Sequence, residues 1–343
     1  MKPALLDYLA CPVCRGDLSL EAPSLSPHPA LPRRGRDPMD LGGEIEAGEL
    51  VCRSGHRYPI DRGVPRLLPP ALSAASRQTA EAFGWQWQHF REMHAEYEAQ
   101  FLDWIAPLPA SFFRDKLVLD AGCGMGRHAY LASRFGARAV IGIDLSDAVF
   151  SAQANVRALP NVHIVQADIY NPPFRGPLFD FIYSIGVLHH LPDPEAGFRS
   201  LLRVLKPGGT IFAWVYGAEN NGVVAHVIDP LRRGLTSKLP PPVLRGIAWP
   251  LAVLLEGAVR GIYQPLRSTP VFKRLPMHDY LYSLAAFSFR QNYNIVFDHL
   301  VAPTAFYLRR DDFEAWFKRS QLRDIEISWR NQNSWRGRGV LPA

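Results

Sequence analysis

Cysteine is scarce. Four residues in 343 are too few for a disulfide-stapled scaffold, and in a reduced chain they read as metal ligands or buried thiols. No apolar stretch follows Met1-Lys2, because Pro3, Asp7 and Cys11 interrupt it. A secretory signal is therefore not expected, and a cytoplasmic location is the default. Charge of one sign is not concentrated either. The formal net charge is +6, residues 1–70 are balanced, and most of the excess lies in residues 218–343. Nucleic-acid binders usually gather Lys and Arg on one patch, and the N-terminal segment does not. Also missing are an internal repeat and an unbroken run of about 20 apolar residues, which a membrane-spanning helix needs, so no membrane span is expected.

What is present describes a globular chain of more than one unit, with 48% apolar and 20% charged residues. Five segments separate by composition. Residues 1–70 hold three cysteines and a Pro/Arg/Gly-rich middle, Ala22 to Gly43, which reads as loop. Residues 71–115 contain a helix-like stretch, Thr79 to Trp104, with Phe83, Trp87, Phe90, Met93, His94, Tyr97 and Phe101 at three- and four-residue steps. Such a stripe is usually core, but it can also fold over a ligand in a neighbouring domain.

Residues 116–217 alternate two kinds of run. Lys116–Asp120, Ala139–Asp144, Val162–Gln166, Phe179–Ile185 and Thr210–Tyr216 have strand length and strand residues. Arg127–Phe135, Ser146–Ala158 and Ala196–Leu205 have helical periodicity. This alternation predicts an α/β fold, a doubly wound, Rossmann-like sheet with parallel strands. Residues 218–300 break the rhythm with a Pro-, Leu- and aromatic-rich insertion, expected to form a helical cap. Within it Gly246–Val259 is apolar apart from Glu256, yet spans too few residues to cross a bilayer. In residues 301–343, Arg310–Gln321 reads as a helix, with acids in its first turn and bases in its last. Arg323–Trp329 and Val340 are read as the final strands.

The strand Leu117–Asp120 runs into Ala121-Gly-Cys-Gly-Met-Gly126 and then a helix. Glycines let such a loop turn tightly and let a ligand approach the backbone. A second strand ends on Asp144, where nucleotide-binding sheets hold a ribose diol, and a third ends at Asp168-Ile169, where adenine would lie. A dinucleotide site places pyrophosphate on the helix N-terminus, and Asp120 would repel it. An acid there suits a cation instead, and S-adenosylmethionine carries an ammonium and a sulfonium.

These strings resemble the small-molecule, ubiquinone/menaquinone-type branch of class I S-adenosylmethionine-dependent methyltransferases. They are Val118-Leu-Asp-Ala-Gly-Cys-Gly-Met-Gly126, Ile143-Asp-Leu-Ser146, Ala167-Asp-Ile169, Phe179-Asp-Phe-Ile-Tyr-Ser-Ile-Gly-Val-Leu-His-His-Leu191 and Leu205-Lys-Pro-Gly-Gly209. The resemblance implies a seven-stranded sheet and donor contacts among Asp120, Gly122, Cys123, Gly124, Gly126, Asp144, Leu145, Asp168, Ile169 and Ser184. It also implies that Cys123 is a loop residue and not a nucleophile. Asn171-Pro-Pro-Phe174 looks like the tetrapeptide with which some methyltransferases hold an exocyclic amine. That tetrapeptide follows their fourth strand; here it follows the third, and it reads as a turn.

Cys11-Pro-Val-Cys14 and Cys52-Arg-Ser-Gly-His56 form two close pairs joined by a longer excursion, the pattern of a tetrahedral Zn²⁺ site. Four ligands leave no open position, so the ion would be structural. Tyr58 to Leu68 is read as a strand packing on the knuckles. The module resembles the zinc ribbon that precedes many class I methyltransferase domains, bacterial rRNA guanine methyltransferases among them. It also resembles the small stand-alone ribbons that activate tRNA methyltransferases. Gly55 stands near their fourth cysteine and His56 takes over, and the 37 residues between Cys14 and Cys52 exceed the usual spacing. Both departures leave the ribbon's role open.

Methyl transfer from a sulfonium requires alignment and exclusion of water, with a base only for a hydroxyl or an acidic carbon. His189 and His190, just beyond the fourth strand, border the switch-point crevice and are the candidate catalytic residues. The cap suits a bulky apolar acceptor, and its net charge of +4 suits one that is also anionic. Tyr263, Tyr280, Tyr282, Tyr293 and His299 are candidate lining residues, and Arg336 and Arg338 are placed at its edge. The expectation is a methyltransferase acting on a small or lipid-like molecule. An rRNA or tRNA methyltransferase using the ribbon to hold RNA is the alternative, and a non-catalytic scaffold the third reading.

Overall fold

The computed structural model describes residues 1–26, 43–222 and 224–343. The predicted loop Ala22–Gly43 lies mostly outside these residues. Its first part is strand: β1 (Leu18–Ser26) pairs antiparallel with β2 (Glu44–Cys52). Ala22 and Pro23 fall at a register shift between Glu21 and Ser24, where proline's missing N–H removes no ladder bond. β3 (Arg57–Asp61) and β4 (Val64–Leu67) continue the meander.

Two helices follow where the sequence suggests one. α1 (Ala74–His89) is capped by Ser73, whose side chain accepts the Ser76 N–H, and α2 is Glu96–Ile105. The break comes at Phe90, and the aromatic stripe divides there between two cores. Phe90 packs with Tyr293 and Phe297, whereas Tyr97 and Phe101 pack on the sheet. One straight helix would present both sets to the same neighbour.

The five apolar runs become β5 (Leu117–Ala121), β6 (Ala139–Asp144), β7 (Val162–Ala167), β8 (Phe179–Ile185) and β9 (Leu205–Tyr216). The helices between them are α3 (Arg127–Arg134), α4 (Ala148–Val156) and α5 (Pro194–Leu202), slightly shorter than predicted. α5 starts with Pro194 after Asp193, whose side chain accepts the Ala196 N–H. After the cap come α11 (Arg310–Arg319), β10 (Arg323–Arg330) and β11 (Ser334–Val340).

The core order is β7-β6-β5-β8-β9-β11-β10, with β5 to β9 parallel and β11 antiparallel to both neighbours. This is the expected doubly wound α/β sheet, reversing direction at β5. Alternate residues feed opposite faces. Leu117, Leu119 and Ala121 pack with Phe198 of α5 and Phe313 and Phe317 of α11, while Val118 packs with α3 and α4. Burial on both faces explains why these strands read as continuous apolar runs.

The N-terminal strands do not form a separate sheet. β4 pairs in parallel with β7, Arg66 opposite Gln166, so the described residues build one sheet of 11 strands. Asn171-Pro-Pro-Phe174 is part of the same junction. Pro173 O accepts the Ala10 N–H at 2.9 Å, Leu9 bridges to Phe174, and Arg15 donates to Pro172 O at 2.7 Å. The tetrapeptide is a docking turn for the cysteine module.

The cap comprises α6 (Asp229–Gly234), α7 (Pro241–Ala258), α8 (Gln264–Leu266), α9 (His278–Ser283) and α10 (Phe289–Val301). The expectation that Gly246–Val259 is too short to cross a bilayer needs correction. The segment lies inside one continuous helix, Pro241–Leu266, whose 26 residues are long and apolar enough to span by length and composition alone. Sequence windows missed it because Pro241, Pro242, Pro250 and Pro265 read as breakers; Pro241 and Pro242 open the helix, where proline is tolerated, and Pro250 lies inside it.

Candidate active site and metal centre

β5 delivers the chain to a loop that only glycine permits at two places. Gly122 has φ +92°, and a β-carbon there would collide with Val187. Gly124 has φ +51°, and a β-carbon there would lie 3.1 Å from the Trp87 indole nitrogen of α1. The loop is held from below by Asp144 at the end of β6. One carboxylate oxygen accepts the Gly124 N–H at 2.9 Å, and the other accepts both the N–H (2.9 Å) and the hydroxyl (2.6 Å) of Ser146. Asp168, at the end of β7, accepts the Tyr170 N–H at 3.0 Å. Burial raises the pKa of both carboxyls above the ordinary aspartate range.

A cavity of about 590 Å³ opens from this loop, within the range of small-molecule sites. Of the predicted donor contacts, Gly122, Cys123, Gly124, Asp144, Leu145, Asp168 and Ile169 line it. Asp120, Gly126 and Ser184 do not. Ser184 donates its hydroxyl to Ala121 O at 2.8 Å and ties β8 to β5. Gly126 begins α3 with φ +83°, close against Ala152. Asp120 lies behind the loop beside Tyr183 with Oδ2 unpartnered among the described residues, and burial pushes its pKa up to about 7. Burial likewise raises the Cys123 thiol, which is therefore neutral.

Of the two histidines, only His190 lines the cavity. Its Nδ1–H donates to Thr304 O at 2.6 Å, and its ring packs on Phe83. With that proton fixed, Nε2 keeps a lone pair. Burial lowers the pKa of both imidazoles, so both are neutral near pH 7. His189 is fully buried against Tyr216, with neither nitrogen hydrogen-bonded among the described residues.

The opposite wall comes from α1 and the cap. Gln86 donates to Asn294 Oδ1 (2.9 Å) and Asp298 Oδ1 (3.1 Å), Tyr216 donates to Asp298 Oδ2 (3.3 Å), and Tyr280 Oη lies 3.4 Å from His299 Nε2. Burial lowers the His299 pKa. Tyr280 and His299 thus line the cavity as expected, whereas Tyr263, Tyr282 and Tyr293 do not. Arg336 and Arg338 are also elsewhere: Arg336 donates to Asp103 O and Arg338 to Glu326. Their place is taken by Arg330, held by Asp103 at 2.6 Å, and by Arg127. The Arg127 guanidinium lies about 5 Å from the rings of Trp87, Tyr97 and Trp104, with Nη1 unpartnered among the described residues. Sequence reasoning missed Gln86, Asn294, Asp298 and Arg127. The Asn294/Asp298 pair at i,i+4 spacing was the available signal.

Cys11, Cys14, Cys52 and His56 meet as the spacing requires, with all four ligand atoms within 4.8 Å of one another. Cys14 Sγ and Cys52 Sγ are 3.6 Å apart, and His56 Nδ1 lies 3.2 Å from Cys52 Sγ and 3.7 Å from Cys11 Sγ. A tetrahedral ion with bonds of about 2.3 Å spans ligand edges of about 3.8 Å, so the donor set fits. Tyr58 of β3 lies 3.1 Å from Cys11 Sγ, so the first half of the predicted strand Tyr58–Leu68 packs on the knuckles; the chain turns back at Arg62-Gly63, and the second half is β4, paired with β7.

Residues 119–213 match the family model described as a methyltransferase domain, and residues 2–63 the one described as a Trm112p-like protein. Among curated proteins, the tRNA U34 carboxymethyltransferase of Ruthia magnifica subsp. Calyptogena magnifica is 37% identical over 102 residues, 29% of this chain and 32% of its own length. Tocopherol O-methyltransferase of Arabidopsis thaliana is 34% identical over 130 residues, 36% of this chain and 37% of its own. The chain thus spans about a third of the length of these relatives. A solved complex between the Haloferax volcanii Trm112 methyltransferase activator and a methyltransferase is similar at 14% identity, with a TM-score of 0.45, over 80% of this chain and all of that one. The chain carries an S-adenosylmethionine-dependent methyltransferase domain with a Trm112-like module at its N-terminal side.

Proposed function

We propose that the chain transfers a methyl group from S-adenosylmethionine to a bulky, largely apolar small or lipid-like acceptor enclosed beneath the cap. The observation that carries this is the continuity of the cavity. One space runs from Gly122, Gly124, Asp144 and Asp168 to Leu255, Tyr280 and His299 of the cap, and its walls are mostly aromatic and aliphatic. S-adenosylmethionine brings an electrophilic methyl group. On the donor side, Asp144 takes the ribose diol in exchange for its bonds to Ser146, Asp168–Ile169 borders the adenine, and the unpartnered Nη1 of Arg127 takes the carboxylate. On the acceptor side, the polar groups gather at Gln86, Asn294, Asp298 and His299, which orient one polar end of an otherwise apolar molecule. His190 accepts a proton at Nε2 if that end is a hydroxyl or an acidic carbon. The cap's net charge supports an acceptor that is also anionic. The Cys11/Cys14/Cys52/His56 cluster holds a structural Zn²⁺.

A tRNA acceptor is the second reading. Several of the matched relatives are named tRNA U34 carboxymethyltransferase, and those names, with the Trm112-like module, support RNA over a small molecule. The roofed cavity supports the small molecule. Tritium-labelled S-adenosylmethionine decides between them when the protein is incubated with cell extract and the products are separated into solvent-soluble material and RNA. Label in solvent-extractable small molecules is expected; label confined to RNA would overturn the leading reading in favour of tRNA.

A further inference from the structure

The cap's outer face is apolar to an unusual degree. A helix in a folded domain normally turns polar residues to water. In the helix Pro241–Leu266 only the stripe Leu244, Ala248, Ala252, Val259 and Tyr263 is buried, and 22% of its most apolar window is covered. Ile247, Trp249, Leu251, Val253, Leu254 and Ile262 all face outward, Trp249 at 55% and Leu254 at 70% exposure. Leu231 and Leu235, in the segment before the helix, are each more than half exposed as well. An exposed apolar helix face of this kind marks an interaction site.

Charge identifies the partner. Between residues 230 and 277 there are eight lysines and arginines and one acid, Glu256, which is bound to Arg260. Lys238 and Arg245 stand near the start of the helix, and Lys273 and Arg274 follow its end; all four are exposed and have no carboxylate partner among the described residues. An apolar face with an exposed tryptophan, flanked by bases on long flexible stems, is the composition of a helix lying in the headgroup plane of an anionic bilayer. The cavity reaches the same face. Leu231 and Leu251 line it and are themselves 56% and 42% exposed.

We propose that the cap docks, in plane and without spanning, on an anionic lipid surface, and that the acceptor passes from that surface into the cavity between Leu231 and Leu251. The second clause rests on the small-molecule reading above; the first does not.

Flotation of the full chain tests it, using vesicles of phosphatidylcholine with or without phosphatidylglycerol. Binding to the phosphatidylglycerol vesicles alone is expected, released by high salt and weakened by at least about fivefold for each base reversed among Lys238, Arg245, Lys273 and Arg274. W249E/L254E, both on the outer face, should abolish flotation with S-adenosylmethionine binding retained as proof of folding. Equal flotation with both vesicle types, or with neither, overturns the proposal. So does a dimer that W249E/L254E dissociates, since the face would then cover a second copy. Resistance to alkaline carbonate extraction would mean that the helix inserts. Capture of tRNA, sensitive to the base reversals and insensitive to W249E/L254E, would assign the charge to RNA. A wild type that binds neither vesicle type yet methylates small molecules would sink this proposal and leave the function standing.

Discussion

Asp120 is a fully buried acid, and burial raises its pKa to about 7. Folding takes its carboxylate out of water, so the folded state disfavours the charged form. The stability this group leaves in place is whole below the unfolded value near 4, and it is lost as pH rises through about 7. Asp120→Asn removes the titration. In urea unfolding at pH 5, 6, 7 and 8, the variant should gain on the wild type by up to about 1.4 kcal/mol per pH unit until pH 7. Parallel profiles would contradict the burial argument. The side chains that end strands were legible in sequence, because Asp144 and Asp168 each close a β-branched run, and that is where the sheet's crevice lies. Gln86, Asn294 and Asp298 were not, because they sit on helices more than 200 residues apart in the chain and meet only through the cap's packing.

Among the elements, the cysteine module shows how far a local pattern reaches. The ligand spacing located Cys11, Cys14, Cys52 and His56, since two knuckles fix geometry within a few residues. The parallel pairing of β4 with β7 left no local trace. Parallel neighbours share no turn, and the Asn171–Phe174 docking turn resembled a catalytic tetrapeptide instead. The break of the aromatic stripe at Phe90 was equally silent, because helical periodicity continues across it and only the division of Phe90 and Tyr97 between two cores interrupts it. Metal analysis tests the module. The purified wild type should hold about one zinc per chain, and Cys52→Ser should lose it and melt at lower temperature, because the module is fastened to the sheet edge. Full zinc content in Cys52→Ser would exclude this site as the ligand set.

At the scale of the whole molecule, one sheet joins a metal-binding module, a donor crevice and a cap whose inner side walls the cavity and whose outer side is apolar and basic. The donor half was written in consecutive strings because a strand, a glycine turn and an acid are local features. The acceptor half is assembled from α1, β9 and α10, and no short string encodes it. Everything proposed for the acceptor depends on the donor occupying the Gly122–Gly124 end of the cavity. Calorimetric titration of the full chain with S-adenosylmethionine addresses that directly. Stoichiometric binding is predicted, weakened about 10- to 100-fold in Asp144→Ala while the variant still unfolds cooperatively. No binding by folded wild-type protein would contradict both methyl-transfer readings and leave a non-catalytic scaffold.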